Sequence, residues 1–254
     1  MANRFNSDRS DWEFQILEGF GAVAEGLAAE LGPRLFLETP VTGVAEEGGG
    51  VRVSTRRGEI AARAAIIAVP PPVSAGLLAE AHWAQAALRA FEPGDLIKLS
   101  VHYARPFWRD AGLSGASLSA AMCGLATAET TALGGGRATL TVFLGGPEAR
   151  ALGGKDAAAR WEAIAGPLRR IFGPEVDRTE ARHERIWVDN PWSGGGYNAH
   201  LAPGAAMAPE AVLRSFRGGV TFASAEIAEV FPGYVEGALR AGKDAAARVL
   251  AAAP

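Results

Sequence analysis

A single cysteine, Cys123, excludes an internal disulfide and a cysteine-rich zinc site. Four histidines lie scattered, without the spacing that would put two imidazoles on one metal ion. No apolar run approaches the roughly eighteen residues that a membrane-spanning helix needs. The N-terminus lacks the basic-then-apolar layout of a secretory signal. The expectation is a cytoplasmic protein with no membrane partner. Charge of one sign is also missing. Twenty-five basic and 28 acidic residues leave a net charge of −3, mixed along the chain, so no basic field points to nucleic acid. No segment repeats. Apolar residues are plentiful, at 48% of 254, enough for one large or two small domains. The 32 glycines are explained by GC-rich coding as readily as by structure.

Apolar spacing and breakers predict the elements. Phe20–Leu31 reads as an amphipathic helix ended by Gly32-Pro33. Leu35–Val44 and Val51–Thr55 read as strands split by the polar turn Glu46–Gly50. Ala64–Val69 reads as a buried strand stopped by three prolines, and Ser74–Phe91 as mostly helical. Strands are expected at Leu96–His102, Ser114–Ala126, Ala138–Gly145 and Arg182–Val188. Asp156–Phe172 has helical spacing, with Trp161, Ile164 and Leu168 on one face and a kink expected at Gly166-Pro167.

The last quarter is the most specific. Gly218-Gly219 is a turn signal, Val220–Ala223 a short buried strand, and Pro232-Gly233 a break. From Tyr234 to Leu250 small and apolar residues recur at helical spacing. A strand leading into a glycine-containing helix lets backbone approach a flat or anionic ligand, with free N–H groups at the helix start.

Phe222-Ala223-Ser224-Ala225-Glu226-Ile227-Ala228, a spacer, then Gly233-Tyr234-Val235-Glu236-Gly237-Ala238 resembles the closing motif of the flavin-containing amine oxidases, the monoamine and polyamine oxidase family. The resemblance continues upstream: Glu18–Gly21 with the helix after it, Leu35–Val44, Val51–Thr55 with Ala65–Pro70, Leu96–Trp108, and Trp187 with Asp189 before Pro191–Gly195. Members of that family begin with a strand, a G-x-G-x-x-G turn and a helix that hold the pyrophosphate of the dinucleotide. The opening stretch MANRFNSDRSDWEF is polar and turn-like and carries no such unit.

The resemblance implies an α/β fold, with an α+β substrate part. An incomplete FAD/NAD(P)-binding-type domain would be interleaved with a mixed-sheet substrate domain. Expected borders are a tail at 1–13, FAD-binding parts at 14–87 and 190–254, and the substrate domain at 88–189.

It also implies site residues. Lys98 corresponds to the lysine that holds a water against flavin N5. An ammonium in the apolar strand Leu96–Val101 must be paired, neutralised or facing a cavity; the plain alternative is a strand with one solvent face. Tyr197 and Tyr234 correspond to the two rings before the flavin, whose π-faces favour an amine; the alternative is two ordinary buried tyrosines. The pair favours simple amines over amino acids, which need a carboxylate clamp, usually an arginine. Arg109, Arg182 and Arg185 are available for one. Val41 would meet the adenine. Ser224, Ala225 and Glu226 would lie along the diphosphate and ribityl chain, Tyr234 and Val235 at the ring edge, and Trp187 at the approach to the flavin. Glu226 would bond the ribityl or fix its loop, and Glu236 and Gly237 would serve close helix packing. Trp187 and Trp192 line the pocket or fill core.

Two departures stand out. Gly196 replaces the cysteine that bonds FAD covalently in animal monoamine oxidases, so FAD would be non-covalent. Ser224-Ala225 stands where the family prefers glycine then threonine or serine. Cys123 reads as a small apolar residue.

The expected activity is oxidation of an amine C–N bond to the imine, with oxygen as acceptor and hydrogen peroxide formed. A small-molecule amine would be the substrate, and a missing N-terminal half or partner chain would supply the rest of the FAD site. The alternatives are a non-catalytic remnant or binding subunit and, more distantly, desaturation chemistry on the same scaffold.

Overall fold

The computed structural model describes residues 16–78, 82–119, 122, 124–132, 136–205 and 208–252, apart from the side chain of His82. The expected tail at 1–13 and Cys123 lie outside the described residues. The chain is mixed helix and sheet and divides into two compact units. One comprises residues to Pro93, Pro191–Ser193 and those from Asn198 on; the other comprises Gly94–Asn190 and Gly194–Tyr197.

The first unit is assembled from small sheets. Helix α1 (Phe20–Leu31) leads through a 3-10 turn at Gly32–Arg34 to β1 (Val41–Glu47), β2 (Gly50–Thr55) and β3 (Gly58–Ala62), an antiparallel sheet in that order. The strand expected from Leu35 begins only at Val41. Pro33 opens the turn, Glu38 takes φ 52°, and Pro40 has no N–H to give a ladder. The third strand was not expected; it has no buried residue, so its sequence carries no apolar alternation. β4 (Ala65–Ile67) ends earlier than expected. The prolines after it do not simply stop the chain: Pro71 starts helix α2 (Pro71–Leu77), a position where the missing N–H costs nothing. The stretch expected to be mostly helical is α2, then α3 (His82–Leu88), then β5 (Phe91–Pro93).

The second unit holds β6 (Leu96–Tyr103), β7 (Ser117–Leu118), β8 (Leu125–Glu129), β9 (Ala138–Gly145), helices α4 (Gly146–Gly153) and α5 (Ala157–Phe172), and β10 (Ala181–Ile186). Its five strands form one antiparallel sheet in the order β10-β6-β9-β8-β7. The single strand expected at Ser114–Ala126 is two, β7 and β8. Gly124 breaks it at φ 77°, where an added Cβ would stand 2.5 Å from the Gly145 carbonyl oxygen. Asp156 caps α5 by accepting the Ala159 N–H at 2.8 Å, and the helix runs on through Pro167. Ile97, Leu99, Val101, Leu140, Val142 and Leu144 from β6 and β9 pack with Ile164 and Leu168 of α5 around Trp108.

The remaining elements return to the first unit: β11 (Ala199–Leu201) pairs with β5, α6 (Pro209–Leu213) follows, and β12 (Val220–Phe222) pairs in parallel with β4. A 3-10 turn at Ala225–Ile227 leads to α7 (Val235–Ala252), whose Gly237, Ala241 and Ala245 form its buried stripe. A Cβ on Gly237 would lie 2.1 Å from the Phe231 carbonyl oxygen, so the residue's smallness sets the approach of this helix. The expected amphipathic helix α1 has the predicted bounds but buries none of its side chains: Phe20, Val23, Leu27 and Leu31 are all exposed. No helix among the described residues is long and apolar enough to cross a membrane.

Candidate active site

In the five-stranded unit, side chains on β6 alternate. Ile97, Leu99 and Val101 point into the core, and Lys98, Ser100 and His102 to the other face. Lys98 therefore lies on the outward side, as the one-solvent-face alternative has it. It is not isolated there. Register places it directly opposite Phe143 of β9 and Arg185 of β10. Its ammonium sits 5.5 Å from the centre of the Phe143 ring. Tyr197 approaches the same ring, with centroids 6.0 Å apart. Two positions remote in sequence, Lys98 and Tyr197, thus meet at Phe143. Sequence reasoning missed Phe143; the available signal was a large aromatic at an outward position of an otherwise apolar strand.

Tyr197 is 68% exposed and Tyr234 48%, so neither is an ordinary core tyrosine. The Gly196 N–H donates to the Gly94 carbonyl at 2.9 Å, anchoring the segment that presents Tyr197. A Cβ on Gly196 would crowd Trp187, at 3.1 Å from its Cβ and 3.2 Å from its Cγ. A cysteine here would need the half-buried Trp187 side chain to give by a few tenths of an ångström. Arg185 lies over that ring, 5.4 Å from its centre.

The other two arginines are engaged elsewhere. Arg109 donates to both oxygens of Glu129, at 2.5 and 3.2 Å. Burial works to raise the Glu129 pKa, but hydrogen bonds from Arg109, Trp108 and Thr131 outweigh it and hold the carboxyl below the usual range. Arg182 lies 4.6 Å over the Trp161 ring.

In the first unit the closing motif folds as a strand, a tight turn and a helix. Val41, at the start of β1, is exposed and pairs with Thr55. Ser224 is buried, and its Oγ has no hydrogen-bond partner among the described residues. A buried hydroxyl left unpaired is costly. It marks a position that a ligand's polar group would complete, so this side of the fold suits a flavin dinucleotide. Ala225 opens the 3-10 turn, and Glu226 accepts the Ala199 N–H at 3.2 Å. Tyr234 and Val235 stand exposed at the start of α7. Trp192 is also exposed rather than core. Tyr234 belongs to this unit, while Lys98, Trp187 and Tyr197 belong to the other.

The sequence model of a family described as "Flavin containing amine oxidoreductase" matches residues 3–250. The chain belongs to this family. Its cofactor is a flavin, and the side chain needed for a thioether link is absent at Gly196. An L-amino acid dehydrogenase of Synechocystis sp. is 30% identical over 246 residues, 94% of this chain and 51% of that protein. A putrescine oxidase of Kocuria rosea is 30% identical over 253 residues, 94% and 53% of the two chains. Among solved structures, cyclohexylamine oxidase from Brevibacterium oxydans IH-35A superposes with a TM-score of 0.83 at 28% identity, covering 92% of this chain and 53% of that one. Wild-type putrescine oxidase bound to putrescine gives 0.83 at 28%, with the same coverage. The chain spans about half the length of the relatives it matches.

Proposed function

We propose that this chain forms the substrate-facing half of an FAD-dependent amine oxidase. The substrate's C–H carbon would give up a hydride equivalent and its nitrogen a proton, forming an imine. Oxygen would take the electron pair and become hydrogen peroxide. The flavin, when bound, supplies the two-electron carrier; the side chains position the amine and exclude water. Lys98 would hold a water for the oxygen-dependent step. Tyr197 and Phe143 would present aromatic faces to the amine. Val41 would serve the adenine edge, Ser224, Ala225 and Glu226 the diphosphate and ribityl region, and Tyr234 and Val235 the ring edge, with Trp187 at the approach. The observation that carries this reading is the meeting of Lys98 and Tyr197 at one ring within a member of this family.

The diphosphate grip would come from a missing N-terminal half or a partner chain bearing the G-x-G-x-x-G unit. Three features support that need. A twelve-residue helix with no buried side chain and no side-chain cap is marginal in water. A two-stranded parallel sheet, β12-β4, is far smaller than parallel sheets that stand alone. The matched relatives are about twice as long. Purified chain should bind FAD weakly or not at all, and co-expression with such a half should yield bound flavin and peroxide from an amine. Stoichiometric yellow flavin and peroxide from the chain alone would refute the need for a partner. A second reading, a binding subunit without turnover, is favoured by Ser224 at a position where the family uses glycine. It predicts that the assembled pair binds flavin and never reduces it with any amine.

A further inference from the structure

Strand pairing brings together two histidines that lie far apart in sequence. His102 follows Lys98 and Ser100 along the outward side of β6, and His183 stands on β10. Across this antiparallel pair His102 faces Ala181 and His183 faces Ser100, so the two histidines are diagonal neighbours on one face. Their ring centres lie 5.4 Å apart, with 69° between the ring planes. Two imidazoles that share one ion through bonds of about 2.0–2.1 Å, each with a ring radius of about 1.2 Å, have centres about 5 Å apart. The sheet therefore already sets the separation. Rotation of the exposed His183 side chain is enough to aim both rings at one point.

Hydrogen bonding decides which nitrogen His102 offers. Its Nδ1 lies 2.9 Å from Oγ1 of Thr139, the residue directly opposite on β9. That hydroxyl donates its own hydrogen to the Arg137 carbonyl at 3.0 Å. With no second hydrogen to give, it accepts from the imidazole. Nδ1 thus carries the proton, and the lone pair of the neutral ring is on Nε2. A second hydrogen bond that fixes the tautomer in this way is what a metal-binding histidine needs. Arg137, whose charge reaches His102, is ion-paired with Glu180 at 3.3 Å.

We propose that His102 and His183 form a two-ligand site for a borderline divalent transition ion of the Cu²⁺ or Zn²⁺ kind, with His102 Nε2 and one nitrogen of His183 as ligands and water in the other positions. Imidazole suits such ions, whereas Mg²⁺ and Ca²⁺ call for oxygen. Among the described residues no group of three His, Cys, Asp or Glu could hold an ion, so the site is open and exchangeable rather than an enclosed structural centre. Thr139 is a positioning residue that fixes the His102 tautomer. Bound metal would tie the edge strand β10 to β6 and stabilise the folded chain by mass action. Neither flavin nor amine takes part, so binding is measured on the full chain as it stands.

The test titrates Cu²⁺ alone and Zn²⁺ alone into the full chain. The electron paramagnetic resonance spectrum of bound Cu²⁺ should show coupling to two imidazole nitrogens. Zn²⁺ should raise the thermal unfolding midpoint, and Mg²⁺ should not. His183→Ala, at an exposed position, should weaken Cu²⁺ binding about a hundredfold, the scale of losing one of two linked contacts, and should leave one coupled imidazole. Thr139→Val should weaken it about tenfold or more, and Thr139→Ser should restore it. In the metal-free chain, ¹⁵N NMR should find His102 Nε2 unprotonated, and Thr139→Val should redistribute the proton between the two ring nitrogens. Coupling to fewer than two imidazoles in the wild type overturns the proposal. Cu²⁺ affinity unchanged in His183→Ala also overturns it, since the ion would then be bound elsewhere. A proton on His102 Nε2 in the wild type removes the ligand that the hydrogen bonds assign.

Discussion

The two units reach stability differently. In the five-stranded unit, Trp108, Leu125, Leu140, Val142, Leu144, Ile164 and Leu168 are fully buried, and one sheet carries them all except those from α5 and the Trp108 turn. In the other unit three small sheets share a core around Phe222, Leu78 and Leu88, while Phe20, Leu27, Phe36, Leu37 and Ile66 remain exposed. One unit buries most of its apolar side chains, Leu113 and Leu118 excepted, and carries charge and aromatic rings on its outward face. The other leaves more of its apolar side chains exposed. Of the proposed site residues, Lys98, Trp187 and Tyr197 stand on the five-stranded unit, and Val41, Ser224, Ala225, Glu226, Tyr234 and Val235 on the other.

The sharpest way to break this contrast is a pair of core and surface truncations. Trp108→Ala should cost about 3–5 kcal/mol by urea denaturation, because it opens a cavity and strips Glu129 of the indole N–H it accepts at 2.8 Å. Leu27→Ala should change stability by less than about 0.5 kcal/mol. Equal losses would show that α1 is already packed in the chain alone.

Glu184→Gln comes next. Arg160, with 7% of its side chain exposed, hydrogen bonds to Glu184 through Nε at 2.9 Å and also through its other nitrogen. Removing the charge should cost about 3 kcal/mol, since the guanidinium stays buried and unpaired. The hydrogen bonds from Arg160 hold the Glu184 carboxyl below the ordinary glutamate value. A depressed carboxylate stabilises fully above its unfolded pKa, about 4.3, and its contribution is lost as pH falls through the lower folded value. The gap between wild type and Glu184→Gln should therefore close in acid and be constant at neutral pH.

Gly237→Ala tests the other unit. Its Cβ would collide with the Phe231 carbonyl oxygen, so α7 must shift, at about 1–3 kcal/mol. In an assembled enzyme the same shift would disturb the Tyr234 end and weaken flavin binding, read by the visible absorption of the bound cofactor.

Lys98→Met should have the smallest effect on folding, within about 0.5 kcal/mol, because it removes one member of an opposed cation pair on an exposed face. In a flavin-loaded assembly it should slow reoxidation by oxygen far more than it changes stability. If stability fell by several kcal/mol, Lys98 would be a structural residue.

Local patterning made much of the architecture legible. Ala138–Gly145 and Phe20–Leu31 have the predicted bounds because each is a run of one period between strong breakers. Misreadings fell where backbone conformation overrides side-chain pattern. Glu38 and Gly124 adopt positive φ, and the prolines after β4 serve as a helix start. At the site, Lys98 and Tyr197 were visible through their motifs. Phe143 was not, since nothing in Leu140–Gly145 says which strand will lie beside it.

The sequence by itself determined many of the elements, the family and the closing strand-turn-helix, because those depend on neighbours a few positions away. Only tertiary structure decided which of three arginines stands opposite Lys98. Strand register is a non-local choice, set when Ile97, Leu99 and Val101 enter one core with Leu140, Val142 and Leu144. A slip of one residue in β6 would turn Lys98 inward.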